Sequence, residues 1–105
     1  MVIKRAPSIF QKGGIIMKAT FNFIPVGDYN TYSKFSEEIE YNKDWEIERK
    51  LETILRNLYV PEELEHFEID DSNLFDSRAE RCYIITFDAC HGDYAWGHTW
   101  KVFKA

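Results

Sequence analysis

Tyr83-Ile-Ile-Thr-Phe-Asp-Ala-Cys-His-Gly92-Asp93-Tyr-Ala-Trp-Gly-His-Thr-Trp-Lys-Val102 reads as a β-hairpin, and the rest of the fold is arranged around it. Gly92-Asp93 has the composition of a two-residue hairpin turn. With the turn there, Ala89 faces Trp96, Phe87 faces His98, Ile85 faces Trp100 and Tyr83 faces Val102. All but His98 in that set are apolar. The other face pairs Asp88 with Gly97, Thr86 with Thr99 and Ile84 with Lys101, and is mostly polar. A three-residue loop would shift the relative parity and mix the faces, so the pattern specifies its register. A four-residue loop would preserve it.

Working outward, residues 70–80 are a polar run that reads as a loop. Pro61-Glu62-Glu63-Leu64 opens a further single turn, with proline at the first helical position. Upstream of Pro61, Ile47, Leu51, Ile54, Leu55 and Leu58 form one apolar stripe at helical spacing. Asn42 is the expected N-cap of that helix, with Asp44 and Glu46 in its first turn, where they complement the helix dipole. Tyr32, Phe35 and Ile39 fall at i, i+3 and i+7 and predict a short helix over residues 31–41. Residues 18–24 alternate, with Ala19, Phe21 and Phe23 on one face, as a half-buried strand does. Pro25 and Gly27-Asp28 are expected to end it. The expected fold class is α+β: a small antiparallel sheet, made of the N-terminal strand and the C-terminal hairpin, packed on one main amphipathic helix.

The 105 residues suit a single domain, 1–105. A purine-rich reading of Lys12-Gly13-Gly14-Ile15-Ile16-Met17 as AAAGGAGGAATTATAATG places a ribosome-binding sequence before a start codon. Residues 1–16 are therefore expected to be translated leader, with the folded core at 17–105 and a bacterial or phage gene behind it. An ordinary Gly-Gly loop before a strand is the alternative. Removing the leader takes Lys4, Arg5 and Lys12 and no acid, moving the net charge from −5 to −8. No apolar run approaches the roughly 20 residues of a spanning helix, so no membrane is expected as a partner. Cys82 and Cys90 make no disulfide framework, which suits the reducing cytoplasm of a bacterial host cell.

Candidate chemistry is sparse. Cys90, His91 and His98 could contribute to a metal site or a small hydrolase centre, and Cys82 is the other thiol. Zinc ligands must converge within about 2.0–2.3 Å of one point. In the hairpin, Cys82 and Cys90 lie roughly 27 Å apart at about 3.3 Å per residue. His98 lies on the face away from Cys90, and Cys90 and His91 point oppositely. No G-x-S-x-G, H-E-x-x-H or P-loop is present. Residues 68–76 are rich in carboxylates, but a calcium loop starting at Asp71 would have Asp76 where the sharp turn needs glycine. No cofactor is expected, and a binding protein is favoured over an enzyme.

The acidic residues are the informative feature. No Lys or Arg falls between Arg56 and Arg78, where Glu62, Glu63, Glu65, Glu68, Asp70, Asp71 and Asp76 all lie. From Glu37 to Glu80 there are 15 acids against 5 basic residues. Such a field disfavours direct nucleic-acid binding, which rewards cations. Concentrated like charge costs stability, and a surface that imitates spaced phosphates would reward it. Tyr94, at the hairpin tip, is an aromatic of the kind that anchors interfaces. The expectation is a non-enzymatic protein that binds and inhibits a basic partner, such as a nucleic-acid-binding effector or nuclease. Inhibitors of CRISPR and restriction systems are the general type by size, acidity and gene style alone. An immunity protein or antitoxin against a basic toxin is the close alternative, and a small metal-binding protein or hydrolase the distant one.

Overall fold

The computed structural model describes residues 16–27 and 30–105. The expected leader falls on residues 1–15, outside the described residues, apart from Ile16, which is exposed. The chain forms β1 (Met17–Val26), β2 (Phe35–Tyr41), α1 (Asp44–Leu58), β3 (Glu63–Asp70), a 3-10 turn (Ser72–Phe75), β4 (Tyr83–His91) and β5 (Tyr94–Lys104). All five strands pair antiparallel in the order β2-β1-β5-β4-β3.

This corrects the expected architecture. Among the described residues the molecule is mostly sheet, five strands with one helix, and not a three-stranded sheet packed on a main helix. Two strands were not foreseen. Residues 31–41 do not form a helix: Phe35, Ile39 and Tyr41 alternate toward the core in β2, with Glu37 in the same phase but exposed. The spacing of Phe35 and Ile39 suits either period, and pairing with β1 decides it; Phe35 stacks on Phe23 with ring centroids 4.5 Å apart. Likewise the single turn expected after Pro61 gives way to β3. Its Leu64, Phe67 and Ile69 join the core side, and Phe67 stacks on Phe87 at 5.3 Å.

The hairpin has the register read from its sequence, from His91↔Tyr94 through Ala89↔Trp96 to Tyr83↔Val102. Gly92 takes φ 62° while Asp93 keeps a negative φ, the pattern of a type II′ turn, for which glycine is the natural first residue. Helix α1 covers the apolar sheet face, burying Ile47, Leu51 and Leu55 against Phe21, Phe23, Ile85, Trp100 and Val102. Full burial of side chains this size stabilises by roughly 1.5–3 kcal/mol each before chain entropy is counted. Asn42 is not the N-cap; Lys43 holds that position without a side-chain cap. Instead the Asn42 backbone N–H, one residue before the cap, donates to Glu46 Oε1 at 3.0 Å and ties the entering chain to the first turn. β1 runs past Pro25 to Val26, beyond the last residue paired with β2, and Asp28 of the expected turn lies outside the described residues.

Candidate functional site

The helix covers one face of the sheet, and among the described residues no element covers the other, here called the open face. Residues opposite one another across strands share a face, so the register assigns each side chain. Glu63 lies opposite Cys90, Glu65 opposite Asp88, Glu68 opposite Thr86 and Asp70 opposite Ile84, all on the open face. Glu63 and Glu65 are odd-numbered, whereas Glu68 and Asp70 are even-numbered. A regular strand would send one of these pairs into the core. A β-bulge prevents this: two residues of β3, His66 and Phe67, oppose Phe87 of β4 alone. His66 takes φ 55°, a left-handed conformation that histidine adopts uncommonly. Its Nδ1 lies 2.9 Å from Asp88 Oδ2, which ties the bulge to the neighbouring strand.

The result is a row of four exposed carboxylates, with Asp88 beside it on β4 and neighbouring same-face positions spaced about 7 Å apart. No Lys or Arg among the described residues forms an ion pair with Glu63, Glu65, Glu68, Asp70 or Asp88. The Ser72 hydroxyl and backbone N–H donate to Asp70, the latter at 2.9 Å, and hold its carboxyl below the usual range. Burial, then a hydrogen bond to Glu65 and the charges of Glu65, Asp88 and Glu63, push the Cys90 thiol up. Cys90 therefore stays a thiol under neutral conditions, a poor nucleophile and a poor metal ligand.

No family model matches the chain, and neither curated proteins nor solved structures give a match.

The eight expected contact residues thus divide. Glu63, Glu65, Glu68 and Asp70 stand together. Glu62 turns the other way, with its carboxylate 3.7 Å from His91 Nδ1 and its charge felt by Tyr32, Tyr59 and His98. Asp71 faces α1, where it lies beside Glu48 and helps push that carboxyl up. Asp76 lies in the following loop and accepts from the Arg78 backbone N–H at 2.9 Å. Tyr94 is 69% exposed at the hairpin tip, but its parity is that of the helix side, away from the row. Trp96, which the hairpin pattern places on its apolar face opposite Ala89, has core-side parity yet is 50% exposed. Asp88 and His66 belong to the surface and were not anticipated as site residues. The phase break in Glu63-Leu-Glu-His66-Phe-Glu-Ile-Asp70 was the available signal.

The metal candidates are not brought together. Cys90 lies on the open face and His98 on the core side, opposite Phe87. His91 stands exposed near Glu62. Among the described residues no group of three or more His, Cys, Asp or Glu is placed to hold a metal ion. His98 has a structural role. Trp100 Nε1–H donates to the Tyr59 hydroxyl at 2.9 Å, and the Tyr59 hydroxyl lies 2.7 Å from His98 Nδ1. Indole can only donate, so the Tyr59 oxygen accepts from Trp100 while the hydroxyl and His98 Nδ1 share the second hydrogen bond. Burial holds His98 below the usual imidazole range, partly opposed by Glu62, and pushes the Tyr59 phenol up. No helix among the described residues is long and apolar enough to cross a membrane.

Proposed function

We propose that this protein is a non-enzymatic acidic interaction protein of bacterial or phage origin, working in the host cytoplasm, that binds and inhibits a basic partner. The partner class is a nucleic-acid-binding effector or nuclease, as for inhibitors of CRISPR or restriction systems. One observation carries the reading: Glu63, Glu65, Glu68 and Asp70 lie in a row on the open sheet face, joined by Asp88 and forming no ion pair with a lysine or arginine among the described residues. A rigid strand spaces these charges regularly and holds them without the entropy cost of a flexible tail. Such a row complements the cations of a phosphate-binding groove and speeds encounter with it. An immunity or antitoxin role would use the same surface.

The test is affinity capture of the partner from the host, followed by titration with purified components. Wild-type binding should weaken steeply with salt, because exposed charges are screened within about 8–10 Å. The variant Glu63→Lys/Glu65→Lys/Glu68→Lys should lose at least about a hundredfold in affinity, equal to about 2.7 kcal/mol, at an unchanged melting temperature. It should also fail to compete with nucleic acid for the partner. A folded variant that binds as the wild type does would sink the reading.

A further inference from the structure

At the far end of α1 from Tyr59 lies a second surface feature, a cleft of about 420 Å3 between the helix N-terminus, the 3-10 turn and the start of β4. Its walls are Trp45 and Phe75, 61% and 81% exposed, large apolar groups that folding leaves in water. Ile47 and Tyr83 form its buried floor. The rim carries Asp44, Glu48 and Asp71, none of which pairs with a Lys or Arg among the described residues. Lys104, also at the rim, is engaged by Tyr41, with its Nζ 2.9 Å from the phenol oxygen and 5.5 Å from the ring centroid. Burial, followed by the charge and hydrogen bond of Asp71, pushes the Glu48 carboxyl up. Burial, then the charges of Glu48, Asp44 and Asp71, raises Tyr83 to about 12.

The same helix displays the chemistry that satisfies such a place. Two to three turns along it, Arg56 Nε donates to Glu52 Oε2 at 2.8 Å while its guanidinium lies 5.0 Å over the Phe67 ring. Arg49 lies 5.4 Å over Trp45 from the adjoining groove, which it lines with Glu52, Phe67 and Ile69. A flat, weakly hydrated guanidinium can stack on a ring and bond a carboxylate together, which a compact ammonium does less well. We infer that the Trp45–Phe75 cleft is a docking site for an arginine side chain of a protein partner, stacked between the rings and held by Glu48 and Asp71. The apolar walls suit the flat face of a guanidinium, and the acidic rim complements its charge. The inference rests on the proposed function only in that the partner is a basic protein.

The probe is N-acetyl-arginine amide, with the lysine and citrulline amides as controls, titrated into 15N-labelled protein. The chain has three tryptophans, so three indole N–H signals report. The arginine amide should move the Trp45 signal saturably in the millimolar range, the citrulline amide should not, and the lysine amide should bind more weakly. Trp45→Ala, Phe75→Ala and Glu48→Gln/Asp71→Asn should each weaken binding at least about fivefold, read for Trp45→Ala from backbone signals. Both rings are exposed, so these variants should keep the fold. An equal response to citrulline or lysine, an unmoved Trp45, or self-association explaining the shifts would overturn the proposal. The two readings fail separately: Glu63→Lys/Glu65→Lys/Glu68→Lys should leave the arginine titration unchanged while abolishing partner binding. A cleft that ignores arginine while that variant still loses the partner would leave the proposed function standing.

Discussion

The sheet has two edges, and both are acidic, yet they are built differently. β2 carries Glu37, Glu38 and Glu40, and β3 carries Glu63, Glu65, Glu68 and Asp70. Each edge also gives a backbone carbonyl to a helix cation: Lys50 Nζ donates to the Glu40 carbonyl, and Arg56 Nη1 to that of Leu64 at 3.2 Å. Charge and covered backbone groups are the ordinary protection of an edge against pairing with another chain. At β2 nothing more is seen. Its register is unbroken, Glu37 falls in the core phase, and Glu40 lies 3.8 Å from Lys18. At β3 a bulge with a left-handed histidine gathers four carboxylates onto one face, and among the described residues none of them forms an ion pair with a lysine or arginine. Edge protection accounts for the acids at β2. It does not require the re-phasing at β3, and that difference is what the proposed binding role would explain.

The comparison can be broken most severely by deleting His66. Removing the bulge residue would force either Glu63 and Glu65 or Glu68 and Asp70 toward the core. We expect a loss of about 3 kcal/mol or more in urea unfolding, the scale of burying unpaired charge. No comparable effect should follow from Glu37→Gln at β2. If the deletion is neutral, the bulge is not what holds the row.

Next in size is Tyr59→Phe, beside the entry to β3. It leaves the Trp100 indole and His98 Nδ1 without the partner they share, and should cost about 1–3 kcal/mol in thermal or urea unfolding. His98 adds a pH signature. Its folded pKa lies below the unfolded value near 6.5, so its contribution to stability is present above that value and is lost as pH falls through it toward the folded value. Unfolding midpoints measured from pH 7.5 down to 5 should fall in the wild type and fall less in His98→Gln. Equal falls would assign the acid sensitivity elsewhere.

The smallest effects sharpen the contrast between the edges. Glu63→Gln/Glu65→Gln should change stability by no more than about 0.5 kcal/mol, and so should Glu37→Gln/Glu38→Gln. Only the β3 pair should weaken partner binding. Binding lost equally from both edges would mean that net charge, and not the row, matters.

The expected and observed folds differ where tertiary pairing overrides local pattern. Residues 35–41 and 63–70 are short, charged and only half apolar, so period-2 alternation is weak in both. In β3 the bulge breaks even that alternation at His66. Helix α1 was legible because its stripe runs for several turns, and the carboxylates were legible as composition. Asp88 was not, because nothing local distinguishes it from any polar strand residue until β3 is laid beside it.

Sequence alone determined the hairpin and its register, since a one-residue slip would turn one strand's apolar side chains to the polar face and its polar ones inward. It likewise determined the helix, through the 3.6-residue recurrence of its apolar positions, and the excess of acid along the chain's middle. Only the tertiary structure decided which acids stand together. Neighbours in sequence such as Glu62 and Glu63, or Asp70 and Asp71, point to different surfaces. Direction along a strand is fixed by pairing across it, and that information resides in β4.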